Sequence, residues 1–279
     1  MADYYKKTMD TLQLAKQVRR DIVDLTFKAG AAGTHIGGSL SAVEILAVLY
    51  NDIMKIDKKD MLSETRDRFI MSKGHGAMAQ YAVMHRLGIL TDEDMVTFKK
   101  NGSAFSTHPF INPSKGIEFS TGSLGHGLSL GVGTALALKK KGNTTSKVFV
   151  MMGDGECDEG AIWEASMSAK HFGLDNIVLI IDKNKLQLDG EITTIMNHES
   201  LGEKWKAFGW KLFEADGHDV DDIKKVFLEA LKEQTQPVCI FMDTIKGKGV
   251  SFIENKYNWH IGVLDEEHYH QAVKELEEQ

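Results

Sequence analysis

The sequence has few of the features that mark secreted, membrane-spanning or nucleic-acid-binding proteins. It contains 2 cysteines, Cys157 and Cys239, too few for a disulfide framework. No run of 18 apolar residues occurs, and the N-terminal segment lacks the apolar stretch of a signal peptide. The formal net charge of -7 comes with no basic run to attract nucleic acid. We therefore expect a cytoplasmic protein that binds neither membranes nor nucleic acids.

Internal repeats, low-complexity tracts and linkers rich in proline or serine are also missing, and the chain has only 3 prolines. A linker of that kind is the usual sequence mark of a domain boundary. A chain of 279 residues is long enough to bury a large core. We therefore predict that residues 1–279 form a single domain.

Short apolar runs alternate with segments of helical periodicity. An α/β fold follows from this alternation: a doubly wound, mainly parallel sheet flanked by helices. The strands are predicted at 68–72, 147–152, 176–182, 211–215 and 238–245, and helices at 74–88, 125–142, 161–173 and 219–233. Ligands of such sheets bind beyond the carboxyl ends of the strands. The segments at those ends are SKGHG, GDGECDEG, DKNKLQLDG and DTIKGKG.

The segment after the second strand places Asp154 between Gly153 and Gly155. Glycines at a strand end allow a sharp turn and bring the carboxylate close to a ligand. No lysine follows as in a phosphate-binding Walker loop, and the GxGxxG pattern is missing. A divalent ion held by carboxylate and phosphate oxygens is the alternative, although a solvated Gly/Asp turn would give the same short pattern.

Asn184 follows Asp154 by 30 residues and stands at the end of the next predicted strand. A βαβ unit of that length places the two strand ends side by side. The two side chains are therefore predicted to share one metal ion.

This arrangement resembles the thiamine diphosphate-binding motif, and the wording GDGECDEGAIWEA with DKNKLQLDG is similar to that of the transketolase family. The resemblance extends along nearly the whole chain. Its further segments, in the family's order, are GTHIGGSLSAVEIL, SKGHGAMAQYAV, HPF, STGSLGHGLSLGVG, DTIKGKG and NWHIGVL.

The resemblance implies a cofactor and its ligands. Magnesium, or else calcium or manganese, would be held by Asp154, Asn184 and the carbonyl oxygen of Leu186. Thiamine diphosphate would contact a further set of residues, with Glu159 at the subunit interface and Gly38 as a weak contact. These residues are Gly38, His75, Gly122, Ser123, Leu124, Gly155, Glu159, Asn184, Lys246 and His260.

Four histidines take the family's catalytic positions. His35 and His260 would move protons on the hydroxyl groups of acceptor and donor sugars, and His75 and His108 would hydrogen-bond the two-carbon unit. Imidazole suits proton transfer near neutral pH. The neighbouring acids Glu156 and Asp158 are expected to be loop or interface residues.

The family's pyrimidine-binding and C-terminal domains have no counterpart here. The resemblance therefore implies the N-terminal, diphosphate-binding subunit of a split transketolase, whose partner in a heterotetramer would be a C-terminal transketolase subunit. Its reaction would transfer a two-carbon ketol group between sugar phosphates.

Three alternatives stay open: the same chemistry on a branched or sulfonated sugar, a subunit of a 2-oxo acid dehydrogenase, and a non-catalytic regulatory subunit.

Overall fold

The structure is a computed structural model that describes residues 9–197 and 200–279. His198, which has no functional context in the sequence, lies outside the described residues. In the described part of the chain the strands are β1 Arg68–Met71, β2 Val148–Gly153, β3 Ile177–Lys183, β4 Lys211–Asp216 and β5 Val238–Asp243. The α-helices are α1 Thr11–Ala29, α2 Ile36–Leu40, α3 Val43–Val48, α4 Ala77–Arg86, α5 Asp92–Val96, α6 His126–Lys140, α7 Gly160–His171, α8 Ile192–Ile195, α9 Leu201–Ala207, α10 Val220–Ala230 and α11 Glu266–Glu277.

Short helical turns complete the secondary structure. A π-helical turn, Leu49–Ile53, continues α3, and the 3-10 turns are Gly30–Ala32, Gly74–Gly76, Pro113–Lys115, Gly155–Asp158 and Tyr257–Trp259. No helix within 9–197 or 200–279 is both long and apolar enough to cross a bilayer.

The strands form one parallel sheet in the order β1-β2-β3-β5-β4. Its central strands are buried on both faces, which is why they are apolar at successive positions rather than at alternate ones. Each predicted strand agrees with an observed strand to within one or two residues at either end. The predicted α/β fold is confirmed.

Alternate strand residues feed two separate hydrophobic cores, one on each face of the sheet. On β2, Phe149 and Met151 belong to the core beneath α1, α3, α4 and α10. Val150 and Met152 face the other core, beneath α6 and α7. This two-sided burial follows from the two-residue repeat of a strand and defines the sheet as doubly wound.

The polar ends of the helices are set by local hydrogen bonds. The carboxylate of Asp219 accepts hydrogen bonds from the N–H groups of Asp221 and Asp222 and so caps α10, as the sequence indicates. Gly125 has φ 87° at the start of α6, a conformation that favours glycine. This turn lets the segment before α6 reach the carboxyl ends of the strands.

Two glycines of α6 provide a matched test of the packing against β2. A Cβ at Gly131 would lie 2.4 Å from Cγ2 of Val150, whereas one at Gly133 would meet no atom within 4 Å. We expect Gly131→Ala to lower the free energy of unfolding by about 1–2 kcal/mol, because overpacking outweighs the gain in helix propensity. Gly133→Ala should raise it by about 0.5–1 kcal/mol. Denaturant unfolding measures both values, and equal effects at the two positions would contradict this packing.

Candidate functional site

A cavity of about 280 Å³ opens at the carboxyl ends of β1, β2, β3 and β5. Its lining comes from the segments that follow those strands and from three loops distant in sequence. Most of the sequence-predicted site residues line it: His35, Gly38, His75, His108, Gly122, Leu124, Asp154, Gly155, Asn184, Leu186, Lys246 and His260. Ser123 and Glu159 do not line the cavity, and both are exposed. The fold thus brings together residues that are up to 225 positions apart, from His35 to His260.

Asp154 and Asn184 lie at the tips of neighbouring strands because β2 and β3 pair in parallel with Gly153 opposite Asp182. The carboxylate of Asp154 accepts hydrogen bonds from the N–H groups of Gly155, at 2.8 Å, and Lys185, at 2.7 Å. The Asn184 side-chain oxygen accepts one from the N–H of Leu186 at 3.2 Å. The two turns are therefore in direct contact, which is the adjacency that the spacing of Asp154 and Asn184 predicts.

The Asp154 carboxylate is 3% exposed and lacks a cationic side chain in contact with it among the described residues. Burial raises its pKa to about 6, and the negative charge of Asp182 adds to the shift, against hydrogen bonds that lower it. A carboxylate with a raised pKa gains most from a nearby cation. Asp154, the Asn184 oxygen and a carbonyl form an all-oxygen donor set of the kind that hard divalent ions prefer.

Lys73 and Asp182 form a buried ion pair beneath the cavity. The Lys73 ammonium contacts the Asp182 carboxylate and donates to the carbonyl of Gly38 at 2.8 Å. Asp182 also accepts hydrogen bonds from the hydroxyls of Ser41 and Thr244. Burial alone would raise the pKa of Asp182, but the Lys73 charge lowers it overall.

Sequence reasoning missed both members of this pair. Lys73 stands in the quoted segment SKGHG, and Asp182 ends the apolar run of β3. A charged residue that closes a buried strand was the available signal.

Lys246 occupies the side of the cavity opposite Asp154. Its ammonium donates to the carbonyls of Leu186, at 3.0 Å, and Gln187, at 2.9 Å, and contacts Nδ1 of His260 at 3.0 Å. Burial, reinforced by the Lys73 charge, lowers the pKa of Lys246 to about 8. Because Nδ1 of His260 faces the ammonium and accepts its hydrogen, the His260 proton lies on Nε2.

The four histidines form a cluster around His35. Ring centroids are 5.1 Å apart for His35 and His108, 5.4 Å for His35 and His260, and 5.0 Å for His75 and His260. Burial, together with neighbouring positive charge, lowers the pKa of His35 to about 4 and that of His260 to about 3. Burial also lowers the pKa values of His75 and His108. The cluster is therefore neutral near pH 7.

One atom of this cluster is left without a partner. Nδ1 of His35 is buried and has no hydrogen-bond partner in the described residues. A buried polar atom without a partner costs about 1–3 kcal/mol, so such atoms mark places where a ligand supplies the missing bond.

Glycine is required where the cavity wall is thin. A Cβ at Gly122, which has φ 142°, would lie 2.9 Å from the His108 ring, and one at Gly155 would lie 2.8 Å from the Gln187 side chain. A Cβ at Gly38 would lie 3.0 Å from the His75 ring. These positions let main-chain atoms line the cavity directly, which fits a ligand bound through backbone groups.

Two further residues differ from their expected surroundings. Glu156, expected in a loop or interface, is buried beside the cavity wall. His218, which has no functional context in the sequence, bonds the buried Glu44 through Nδ1, at 3.0 Å. Its Nε2 accepts a hydrogen bond from the N–H of Ile245, at 2.8 Å, next to Lys246. This second bond helps to hold the segment that presents Lys246.

Comparisons with known proteins agree with this site. Residues 11–277 match the family described as "Transketolase, thiamine diphosphate binding domain". The chain is 42% identical over 271 residues to the first of two apulose-4-phosphate transketolase subunits of Phocaeicola vulgatus, covering 97% of this chain and 95% of that protein. It is 39% identical over 274 residues to "6-deoxy-6-sulfo-D-fructose transketolase subunit SqwG" of a Clostridium species, covering 98% of each.

A solved structure, "Transketolase from Leishmania mexicana", superposes with a TM-score of 0.89 at 29% identity. It covers 96% of this chain but only 41% of that longer chain. Fold and site define a thiamine diphosphate-binding protein. The chain belongs to the transketolase family, which confirms the resemblance seen in its motifs.

The low pKa of His35 predicts how stability depends on pH. Its pKa is about 4 in the folded chain against an ordinary value of 6.5, so the unfolded chain binds this proton first as the pH falls. The resulting stability is complete above pH 6.5 and is lost as the pH falls towards 4. We expect His35→Gln and His35→Asn to show a shallower fall in unfolding free energy across that window than the unaltered chain. Denaturant titrations at several pH values measure the slope, and parallel curves would contradict the burial effect.

Proposed function

We propose that this chain is the diphosphate-binding subunit of a transketolase, which transfers a two-carbon ketol group from a ketose phosphate to an aldose phosphate. The observation that carries the proposal is the single cavity in which Asp154, Asn184 and the Leu186 carbonyl meet four neutral histidines. A metal-diphosphate anchor and a set of proton-transfer groups are what this reaction needs side by side.

The oxygen donors suit Mg²⁺, with Ca²⁺ or Mn²⁺ as substitutes. Asp154, the Asn184 side-chain oxygen and the Leu186 carbonyl would hold the ion, and Gly122, Leu124 and Gly155 would admit the diphosphate to the backbone. When bound, thiamine diphosphate supplies the carbanion chemistry at the ketose carbonyl. Lys246 now donates to the Leu186 carbonyl. It would give up this bond to a metal and turn to the diphosphate.

The histidines would act on the sugars. Because they are neutral, each can accept a proton at one ring nitrogen and donate one from the other. The free Nδ1 of His35 is placed to bond a sugar hydroxyl, and the Nε2–H of His260 can donate to another. His75 and His108 would hydrogen-bond the two-carbon unit and hold it among the other rings.

We further propose a partner that carries the pyrimidine-binding domain, in an assembly of two chains of each kind. The apolar rim of the cavity supports this. We give that name to Phe110, Ile111, Leu188, Ile261 and Val263, which are all about half exposed although large and apolar. They lie close in sequence to cavity residues or line the cavity themselves. A group of exposed apolar side chains around a polar site is typical of a protein interface. The family's longer members carry further chain where this one would meet its partner.

A second candidate function concerns the sugar. Relatives over nearly the whole chain are named for apulose 4-phosphate and for 6-deoxy-6-sulfo-D-fructose. The same site chemistry would serve such a branched or sulfonated sugar, and the choice among anionic sugars would rest largely with the partner. A purely regulatory subunit is the weaker alternative, because it would not need the unpartnered histidine nitrogen or the oxygen donor set.

Removal of the Asp154 charge tests the proposed function. We expect Asp154→Asn to weaken magnesium-dependent binding of thiamine diphosphate on the order of 100-fold, because it removes an anionic oxygen ligand. Isothermal calorimetry measures the affinity with and without Mg²⁺. Ketol transfer by the chain mixed with its partner subunit measures the consequence, with the chain alone as the inactive reference.

Asp243→Asn is the matched control for that experiment. Asp243 ends the neighbouring strand β5 and is exposed outside the cavity, where it pairs with Lys185. This variant should bind and react like the unaltered chain. Equal metal-dependent heats for Asp154→Asn and the unaltered chain would refute the metal role of Asp154.

A charge on the apolar rim tests the proposed partner surface. We expect Phe110→Glu or Ile261→Glu to weaken association with the partner subunit by more than about tenfold, because a carboxylate would be buried against apolar groups. Analytical ultracentrifugation of the mixed subunits measures the complex. Leu228→Glu is the control, because Leu228 is 49% exposed on α10, away from the cavity. Loss of the complex with the control alone would place the interface elsewhere.

A further inference from the structure

Glu156 is buried although it follows the exposed-looking Gly-Asp-Gly turn. It is 2% exposed, and three donors reach its carboxylate. One oxygen accepts from the Ser72 hydroxyl and from the N–H of Gly125, at 3.0 Å. The other accepts from the N–H of Gly153, at 3.3 Å. Both oxygens are thus engaged within the protein.

The three donors belong to three different segments of the cavity wall. Ser72 follows β1 and precedes the turn that carries His75. Gly125 ends the segment that carries Gly122 and Leu124, just before α6. Gly153 ends β2 and precedes Asp154. One carboxylate therefore fixes the mutual position of the three glycine-rich segments that surround the proposed diphosphate site.

These segments are packed too closely to tolerate a change in spacing. A Cβ at Gly127 would lie 2.2 Å from the Ser72 hydroxyl oxygen, and one at Gly74 would lie 2.7 Å from the Gly122 nitrogen. With backbones at this separation, a shift of one segment moves its neighbours. Without an acceptor, the N–H of Gly125 would also lose the side-chain bond that fixes its left-handed turn.

We propose that Glu156 is a positioning residue for cofactor binding: it holds the segments of Ser72, Gly125 and Gly153 at the spacing that thiamine diphosphate requires. This inference rests on the proposed function, since it names how that site is kept in its binding geometry. Glu156 acts through the main chain of its neighbours rather than by contact with the reacting atoms.

Asp67 provides a matched comparison. It is also a buried acid, 2% exposed, and its carboxylate accepts hydrogen bonds from two N–H groups, those of Lys55 and Lys147, each at 2.8 Å. It lies at the opposite, amino ends of β1 and β2. Removal of its charge should therefore cost stability without touching the cavity.

The test compares Glu156→Gln and Glu156→Ala with Asp67→Asn in the complex with the partner subunit. The glutamine amide retains one acceptor oxygen but turns an NH₂ group towards protein donors. We expect both Glu156 variants to weaken thiamine diphosphate binding with Mg²⁺ by about 10–100-fold, the range typical of groups that orient ligands indirectly. Most of the loss should appear in the half-saturating cofactor concentration rather than in kcat. Asp67→Asn should lower Tm without changing cofactor affinity.

A second measurement needs no cofactor. Hydrogen exchange should become faster in residues 121–128 and 72–76 of Glu156→Ala and stay unchanged there in Asp67→Asn. If the unaltered complex binds no thiamine diphosphate, the proposed function fails while the exchange data still test the role of Glu156. Unchanged exchange in those segments, or cofactor affinity within twofold of the unaltered complex, would overturn the positioning role.

Discussion

The structure of the cavity depends on the buried ion pair between Lys73 and Asp182. Asp182 is fully buried and receives hydrogen bonds from Ser41, Thr244 and Asn184 in addition to the lysine. These partners come from the turn between α2 and α3 and from the segments that follow β5, β3 and β1. Breaking a buried pair by removing one partner costs about 3–5 kcal/mol, because the other charge is left in a medium that cannot solvate it. The pair therefore fixes the floor on which the cavity is built.

The electrostatics above this floor are unbalanced in a consistent way. Burial raises the pKa of Asp154 and lowers those of Lys246 and the histidines, so every group is shifted towards its neutral form. A site in this state lacks the charged ligand that would restore solvation. A divalent ion together with a multiply charged anion supplies both missing signs at once, since the ion meets Asp154 and the anion meets Lys246.

The two cores and the apolar rim divide the apolar residues of the chain by task. The cores beneath the two faces of the sheet hold the strands in register, and that register sets Asp154 beside the Asn184 turn. The apolar rim adds nothing to either core and surrounds the polar cavity instead. Glu156 belongs to the boundary between these parts, where a carboxylate replaces apolar packing as the link between main-chain segments.

The strands, the helix at Asp219 and the turn at Asp154 were predictable from the sequence because each depends on neighbours within a few residues. The adjacency of Asp154 and Asn184 was also predictable, since a βαβ unit has only one common hand and a limited length. The motifs then placed the four histidines in one site.

The sequence could not place Lys73 against Asp182, which lie 109 residues apart, or bury Glu156 against Ser72, 84 residues away. Nor could it show that Lys246 donates to the Leu186 carbonyl. Local pattern determined the elements and the order of the motifs, because periodicity and turn chemistry act over short stretches of chain. Only the tertiary structure decided which charges are paired and which are left for a ligand, because desolvation depends on every segment packed around a group.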